Sequence, residues 1–536
     1  MPDSLVAHSQ CRTTPISILS SERADSLLNG MTSATNILLP SLPDPSPLSE
    51  VVLFAFDDRA FPFRAYAEVR LSSSRASSIA VPAGPAGSHD ELAVCYGSTI
   101  KIGETFHMWY MGNSGPLTNW AGHERKVWRM CHATSEDGIL WKKPDLGLVE
   151  FNGSKHNNIV DFPAMDEHIC ANAILHEPDE PDPARRFKMI FEAVTPDPEI
   201  RERLGSIVYW GAAFSPDGLR WTLSPKNPLG HSLEMSGITK HRGLYYLNGQ
   251  QPSWPHSKVM ARALCTFVSA DFEHWSPISA LGLDRAGDLT GPSAAADVNH
   301  EKEVHLGAAM SHRGNVILGI YGMWNGHPSR DRRLVCMDLG LAISHDAVHF
   351  HEPIPGFPFI AAREPVGGMI GISPGLVQGQ GMINHGDRTL YWYSIWRSVE
   401  SRGVLVTSWP RDRFGWLQAF RPDNLAGCLN RDARPPHRVI TCPIQIIDGA
   451  AEVFLNIEGL GAHTNLRINL VDEGFRPIPG CEEAAIVSEC GLRVPVRWKS
   501  VPALKKTHGR VRLDIQFEGI RPEEAKLYAA CVSRVD

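Results

Sequence analysis

Carboxyl side chains stand ahead of four similar stretches of this 536-residue sequence, and two glutamines stand in a fifth. The residues in question are Asp90, Glu91, Asp166, Glu167, Glu234, Glu303, Gln378 and Gln380. Pairs of carboxylic acids that differ in proton affinity are a common means of general acid–base catalysis. Because acids occur at the same place in four successive repeats, we expect them to converge on one catalytic site.

Two short elements recur in the stretches that must position these acids. One is an aromatic-rich strand, predicted at 106–110, 187–191, 244–247, 316–321 and 389–394. The other is a phrase built on Ser-x-Asp and a later aromatic residue, found at 135–141, 215–221, 269–275 and 344–350. The phrase predicts a strand end, a turn that tolerates positive φ, and an aromatic plug. Self-similarity of this kind indicates a repeated supersecondary unit, in which the four turn aspartates are structural.

Five such units predict an all-β fold, a five-bladed β-propeller followed by a C-terminal β-sandwich. We assign residues 49–424 to the propeller, which would be the catalytic domain, and expect the segment 51–56 to help close its ring. Period-2 strands after Pro435 and Pro436 predict the sandwich over 437–536. Residues 1–48, rich in Ser, Pro, Thr and Leu, form a partly disordered extension.

Composition excludes several classes of protein. The net charge is −7 with both signs interspersed, so no basic surface for nucleic acid is expected. No apolar run is long enough to span a bilayer, and the first 48 residues lack the pattern of a secretory signal. Eleven cysteines without a C-x-x-C pair indicate buried thiols in a reducing compartment. These features predict a cytoplasmic protein.

Three segments carry a resemblance to a known group of enzymes. The run 135–160, the stretch from Glu303 to Trp324 and the closing segment 411–415 look like parts of bacterial five-bladed propeller proteins similar to glycoside hydrolase families 32 and 43. The tail around 454–456 and 497–498 is similar to the sandwich that follows the propeller in such proteins. The resemblance covers roughly residues 85–535 and implies a glycosidase that uses two carboxyl groups.

By position, the resemblance implies a role for each acid. Asp90 would be the nucleophile or base, Asp166 would steady the sugar, and Glu234 would be the general acid, with Glu303 as a further catalytic candidate. Family 32 normally shows Asn-Asp-Pro, Arg-Asp-Pro and Glu-Cys-Pro at the first three of these acids, and this chain departs from all three. The residues expected to bind substrate are Glu91, Glu167, His168, His305, Trp324 and Gln380.

The expected activity is hydrolysis of a terminal, furanosidic sugar in a pocket at the propeller centre, exo-acting rather than endo-acting. Two alternatives stay open: a sugar-binding protein without a productive acid pair, and an enzyme that transfers, eliminates or rearranges a sugar-like molecule. Each acid also suits a plain structural role as a solvated turn residue or cap. No cofactor is required, although the resemblance allows a structural cation in the channel. The expected partners are a small carbohydrate and, through the sandwich, a second copy of the chain, with no nucleic acid and no membrane.

Overall fold

The computed structural model describes residues 37–38, 48–75, 77–120, 123–163, 171–195, 197–252, 261–285, 302–326, 334–362, 375–396, 403–420 and 436–535. These residues are mostly in β-strands, with one α-helix among them, α1 (Pro198–Leu204). None of the helices in these ranges is long and apolar enough to cross a membrane. The eight cysteines in these ranges carry free thiols, and Cys490 is the exposed one among them.

The N-terminal part contributes five short strands. They are β1 (Ile37–Leu38), β2 (Glu50–Phe54), β3 (Phe63–Ala65), β4 (Ala67–Leu71) and β5 (Ser78–Pro82). The first four pair with strands from the far end of the chain, and only β5 pairs with the repeats.

The repeats form five antiparallel meanders, here called the first to the fifth. The first meander consists of β6 (Leu92–Ile102), β7 (Thr105–Trp120) and β8 (His123–Ser135), and the second of β9 (Ala171–His176), β10 (Phe187–Val194), β11 (Val208–Ser215), β12 (Thr222–Leu223) and β13 (Gly230–His231). The third consists of β14 (Glu234–His241), β15 (Leu244–Pro252), β16 (Arg262–Ser269) and β17 (Ala280–Leu283). The fourth consists of β18 (Lys302–His312), β19 (Ile317–Asn325) and β20 (Cys336–Ser344), and the fifth of β21 (Gly375–His385), β22 (Arg388–Trp396) and β23 (Gly403–Pro410). All five predicted aromatic strands are confirmed as strands, each the second of its meander.

The first strands of the meanders, the inner strands β6, β9, β14, β18 and β21, lie side by side. Each contacts the inner strands of the meanders before and after it, and β21 contacts β6. Strand β5 adds to β23 as the outermost strand of the fifth meander. The chain thus joins the last meander with a strand that precedes the first.

Buried side chains on both faces of the meanders explain why these strands read as continuous apolar runs. On β6, Ala93 and Cys95 pack in a cluster with Trp392 of the fifth meander. Val94 and Tyr96 point the other way and pack in a second cluster with side chains of the second meander. A strand covered on both faces needs apolar residues at every position, which removes the period-2 signal.

The recurring phrase forms the turn that was predicted. The Oδ1 atom of Asp217 accepts hydrogen bonds from the backbone N–H groups of Leu219 (2.8 Å) and Arg220 (2.9 Å), and Gly218 has a φ of +74°. The indole N–H of Trp221 donates to the carbonyl oxygen of Gly218 at 3.0 Å. Trp109 of the first meander donates to the same carbonyl at 2.6 Å. The turn is therefore also the contact surface for the preceding meander, and the structural role of its aspartate is confirmed.

We expect Asp217→Ala to lower the free energy of unfolding by about 1–2 kcal/mol, because two backbone N–H groups of the turn lose their acceptor. Urea unfolding of the full chain measures the effect, with the exposed Asp179→Ala as the matched control. Equal unfolding midpoints for the two variants would show that the turn does not depend on this carboxylate.

The C-terminal strands build two further sheets. They are β24 (Gly415–Ala419), β25 (His437–Ile440), β26 (Ile444–Ile446), β27 (Ala450–Glu458), β28 (Thr464–Asp472), β29 (Ala485–Val487), β30 (Gly491–Pro495), β31 (Leu504–Lys505), β32 (Arg510–Gly519) and β33 (Lys526–Arg534). One sheet runs β1-β26-β32-β25-β3 with β28 and β29 attached, and the other runs β30-β27-β33-β24-β4 with β2 and β31 attached. Apolar side chains of both sheets share one core.

The prediction that the segment 51–56 helps to close the ring is wrong. Strand β2 pairs with β33, from Glu50 opposite Ser533 to Phe54 opposite Ala529. The alternating side chains of β2 explain why it pairs with β33. Val51 and Leu53 fill the core between the two C-terminal sheets, and Val52 and Phe54 pack in the cluster that reaches the fourth and fifth meanders. Both faces of β2 are thus buried where the meanders meet the C-terminal sheets. The N-terminal strand that pairs with the meanders is β5.

Candidate active site

The starting ends of the inner strands form one end of the ring, here called the mouth. Glu234 is the first residue of β14 and Glu303 is the second residue of β18, so the structure brings them to the mouth on adjacent meanders. Register shifts interrupt four of the inner strands close to this end, for example between His305 and Ala308. Such bulges redirect side chains and are common beside active sites.

Glu303 lies at the centre of a charged and aromatic cluster. Its carboxylate is fully buried and pairs with the guanidinium Nε of Arg262, a residue of β16. That guanidinium lies over the ring of Trp324, 4.0 Å from its centroid, and the ring of His305 is stacked 5.9 Å from the same indole. Glu303 and His305 therefore share a face, as their spacing predicts. Trp324 is 4% exposed and supports Arg262, which leaves little indole surface for a sugar.

Arg285 fixes the backbone around this cluster. It follows β17 of the third meander, and its Nη1 atom donates to the carbonyl oxygens of Glu303 (3.0 Å) and Trp324 (3.1 Å). Its Nη2 atom donates to Oδ1 of Asn325 at 3.3 Å. One guanidinium with several donors in a fixed plane thus ties the third meander to the first two strands of the fourth.

Glu234 has an amide among its partners. The Nε2 atom of Gln250 donates to the Glu234 carboxyl group. The Oε1 atom of the same amide accepts the backbone N–H of Leu306 at 3.0 Å. Gln250 thereby connects the carboxyl group of the third meander with the bulge that follows His305. Because the amide is neutral, this contact stabilises the ionised form of a carboxyl group less than the arginine that Glu303 has.

Asp90 precedes β6, and its described partners belong to the first meander and the segments beside it. It is 2% exposed, and its Oδ2 atom accepts hydrogen bonds from Tyr110 Oη (2.7 Å) and Lys143 Nζ (2.5 Å). Burial, the largest influence, would raise the pKa of Asp90, but the hydrogen bonds from Lys143 and Tyr110 together with the Lys143 charge outweigh it and lower that pKa below 3.8. The carboxylate is therefore ionised, and its described partners give it the surroundings of a structural ion pair.

We expect Lys143→Met to destabilise the protein by about 3 kcal/mol at pH 7, because it leaves the buried Asp90 charge without its cation. The lowered pKa of Asp90 makes its contribution to stability complete above the ordinary value of 3.8 and lost as the pH falls through the folded value. In the variant, Asp90 takes up its proton at a higher pH. The difference in unfolding free energy between wild type and Lys143→Met should therefore become smaller from pH 7 to pH 4. Urea unfolding at pH 7, 5 and 4 measures this, and a gap that does not change with pH would contradict the assignment.

Gln380 crosses the centre of the ring. Its Oε1 atom accepts the backbone N–H of Ile238 (2.7 Å) in the third meander, and its Nε2 atom donates to the carbonyl of Ile174 (3.1 Å) in the second. The side chain therefore connects the fifth meander with two meanders that are not next to it in chain order. Gln378 adds bonds to the carbonyls of His305 (2.7 Å) and Gly307 (3.0 Å). Both amides therefore hold the meanders together.

We expect Gln380→Ala to lower the free energy of unfolding by about 2–4 kcal/mol, because it leaves one buried N–H and one buried C=O without a partner. Gln516→Ala, which truncates a half-buried glutamine in the C-terminal sheets, is the control. Denaturant unfolding measures both variants. If Gln380→Ala is no less stable than the control, the amide does not brace the ring.

The remaining predicted residues are placed as follows. Glu91 lies beside Asp90, and its Oε2 atom accepts the backbone N–H of Gly87 at 2.9 Å in an exposed turn. Asp166, Glu167 and His168 lie outside the described residues. Within the described ranges, the structure contains no group of three His, Cys, Asp or Glu residues that could hold a metal ion.

Sequence reasoning missed several polar residues at or near the mouth. Gln250 and Arg262 lie on the second and third strands of their meander, and Arg285 follows its outermost strand. Glu192 is 1% exposed, lies opposite Ala171 at the start of β9, and accepts a hydrogen bond from Ser232 at 2.9 Å. A lone glutamate inside the apolar run of β10 was the available signal, because a charge in a strand buried on both faces needs a partner.

Comparison with known proteins finds likeness only at the level of structure. No protein-family model and no curated protein matches the chain. A glycosyl hydrolase from Bacteroides ovatus is similar with a TM-score of 0.41 and 13% identity over 67% of this chain and 98% of that one. The family 32 β-fructofuranosidase of Bombyx mori is similar with a TM-score of 0.34 and 13% identity over 82% of this chain and 90% of that one. A structure from the family 130 mannoside phosphorylases and glycoside hydrolases is similar with a TM-score of 0.38 and 13% identity over 71% of this chain and 98% of that one. So distant a likeness carries no information about which residues react.

Proposed function

We propose that this protein is a glycoside hydrolase that removes a terminal sugar at the mouth of a five-bladed β-propeller, with the C-terminal sheets as an appended β-sandwich. The observation that carries the proposal is the pair of carboxyl groups, Glu234 and Glu303, at the starts of adjacent inner strands in unlike environments. Two carboxyl groups with opposite protonation states are what cleavage of a glycosidic bond requires.

Glu234 acts as the proton donor in this proposal. It is half-buried at the mouth and has a neutral amide among its hydrogen-bond partners, a contact that suits the protonated as well as the ionised carboxyl group. When the glycosidic bond breaks, that proton moves to the leaving oxygen, and the carboxylate that remains is again held by the Gln250 amide.

Glu303 acts as the ionised partner. The Arg262 ion pair favours its charged form, and a carboxylate in buried surroundings stabilises a developing oxocarbenium ion strongly. Because Arg262 covers this carboxylate in the structure, a substrate reaches it by displacing the Arg262 contact, and the guanidinium then turns to a sugar hydroxyl. Attack by the carboxylate itself retains the anomeric configuration, and activation of water inverts it.

Action on chain ends is also part of the proposal. The hydrogen bonds of Gln380 to the second and third meanders support it, because they draw the inner strands together and favour a pocket over an open cleft. A pocket accepts a terminal residue and excludes the middle of a polymer. The furanosidic preference rests on the resemblance to families 32 and 43 and is part of the proposal.

The test is a screen of the full chain against nitrophenyl furanosides and pyranosides together with fructo- and arabino-oligosaccharides. The proposal predicts turnover of at least one furanoside, abolished in the double variant Glu234→Gln/Glu303→Gln and kept in the exposed control Glu489→Gln. Parallel reactions with inorganic phosphate as acceptor separate transfer from hydrolysis. Binding of a sugar by calorimetry without turnover of any substrate would contradict the proposal and favour a binding protein.

A further inference from the structure

The side chain of Gln250 connects the two meanders that carry Glu234 and Glu303. Gln250 lies opposite Glu234 where β15 pairs with β14, so the two side chains are on the same face of the third meander. The Gln250 amide also reaches the backbone of Leu306 in β18, the strand that carries Glu303. Gln250 therefore contacts the third and the fourth meander at the mouth.

The contact on β18 is made at a bulge with unusual backbone geometry. The pairing with β19 shifts between His305 and Ala308, so that Leu306 and Gly307 are extra residues on β18. Both have left-handed φ angles, +64° for Leu306 and +78° for Gly307. The left-handed region is unfavourable for leucine, because its Cβ atom comes too close to the following carbonyl oxygen. Such a conformation persists only where its surroundings hold it, and it is common at functional sites.

Two amide oxygens of β15 hold this bulge in place. The Oε1 atom of Gln250 accepts the backbone N–H of Leu306 at 3.0 Å, and the Oδ1 atom of Asn248 accepts the backbone N–H of Ala308 at 2.9 Å. A Cβ atom added to Gly307 would lie 2.8 Å from a backbone atom of β15, so the two strands are in close contact here. The bulge thus directs a backbone N–H at the Gln250 side chain.

The bond to Leu306 determines the orientation of the Gln250 amide. A backbone N–H can only donate, so the amide atom that faces it must be the oxygen. The amide nitrogen then faces Glu234 and donates to its Oε2 atom. Turning the amide over would place its NH₂ group against the N–H of Leu306. The direction of the donor that meets Glu234 is therefore set by the backbone of the fourth meander.

We propose that Gln250 is a positioning residue for the proton donor, an inference that rests on the proposed function. The amide holds the Oε2 atom of Glu234, and the bulge of β18 holds the amide. The acid on the third meander is thereby fixed relative to the strand that carries Glu303 before a substrate binds. Proton transfer needs the donor within hydrogen-bond reach of the leaving oxygen, so a small displacement of Glu234 slows the reaction strongly.

The experiment measures kcat and KM of full-length wild type, Gln250→Met and Asn248→Leu on an alkyl glycoside and on a dinitrophenyl glycoside of the same sugar, together with melting temperatures. Both substitutions keep the approximate size of the side chain and remove the acceptor of one N–H of the bulge. Gln250→Met removes the contact with Glu234 in addition, so Asn248→Leu is the matched control for damage to the bulge. Gln250→Asn, which keeps an amide on a shorter side chain, is the milder second variant.

We expect Gln250→Met to lower kcat on the alkyl glycoside by about 10- to 100-fold and on the dinitrophenyl glycoside by less than about threefold, because the acid matters where the leaving oxygen needs a proton. KM should stay within about threefold on both substrates, since the contact orients the acid and does not bind the sugar. Gln250→Asn should show the same dependence on the leaving group. Asn248→Leu should lower the melting temperature as Gln250→Met does and affect the two substrates equally.

Two results would overturn the proposal while the proposed function stands. One is an equal loss of kcat on both substrates in Gln250→Met, and the other is the same leaving-group dependence in Asn248→Leu. Either would make Gln250 a structural residue of the bulge. If Gln250→Met does not fold, Gln250→Asn decides by the same comparison. Absence of turnover in wild type, assayed in the same series, is the distinct failure of the proposed function, and it overturns the positioning role as well.

Discussion

Replacing Glu234 by glutamine should lower kcat/KM by roughly 10²–10⁴-fold for substrates with a poor leaving group, the range that general acid catalysis provides. The change keeps the size of the side chain and its contact with Gln250 but removes the proton that the leaving oxygen needs. For a dinitrophenyl glycoside, whose leaving group departs without a proton, the loss should be within about tenfold. The dependence on leaving group is therefore the signature of a proton donor.

The measurement is a series of aryl glycosides of graded leaving-group acidity, assayed with wild type, Glu234→Gln and the exposed control Glu489→Gln. A steep dependence of kcat/KM on leaving-group acidity in Glu234→Gln, and a shallow dependence in the other two proteins, would support Glu234 as the proton donor. An equal loss on every substrate would place Glu234 in binding or in nucleophilic attack and would contradict its role as the acid.

The Glu303 and Arg262 pair should show opposite effects on stability and activity. Arg262→Met leaves a fully buried carboxylate without its cation and should lower the free energy of unfolding by about 3–5 kcal/mol. Glu303→Gln leaves the guanidinium without its carboxylate but next to the Trp324 ring, so the loss should be smaller. The double variant, with no charge in the pair, should recover most of the stability that Arg262→Met loses.

Activity should not recover in that double variant. Glu303→Gln removes the negative charge that stabilises the transition state, and we expect a loss of at least about 10³-fold in kcat with or without Arg262. A double-mutant cycle in unfolding free energy and in kcat separates the two roles. If the double variant regains turnover along with stability, Glu303 only balances the charge of Arg262.

The repeats were predictable from sequence because each depends on local signals. A serine, an aspartate and a residue that accepts positive φ define the turn at Asp217 and its three relatives, and the aromatic strand precedes it at a nearly constant place. The ring closure was not predictable in detail. Strand β2 and strand β5 read alike as short apolar segments, and only the packing of β2 against β33 decides which of them joins the ring.

For the acids too, one part was predictable from sequence and another was not. That Glu234 and Glu303 begin inner strands followed from their position in the repeat. The environment of each acid did not, because it is set by side chains from other strands: Lys143 for Asp90, Gln250 for Glu234 and Arg262 for Glu303. Gln380 was expected to bind substrate, but its amide is occupied by two meanders on the other side of the ring. Partners that are distant in sequence leave no pattern around the residue they pair with.

The assay that tests the central claim most directly compares kcat/KM of wild type, Asp90→Asn, Glu234→Gln and Glu303→Gln on one substrate with an alkyl leaving group, under conditions where circular dichroism shows all four to be folded. We predict that Glu234→Gln and Glu303→Gln each lose roughly 10²-fold or more and that Asp90→Asn stays within about tenfold of wild type. Loss of turnover in Asp90→Asn, with activity kept in both glutamate variants, would contradict the claim that the reacting carboxyl groups lie on the third and fourth meanders.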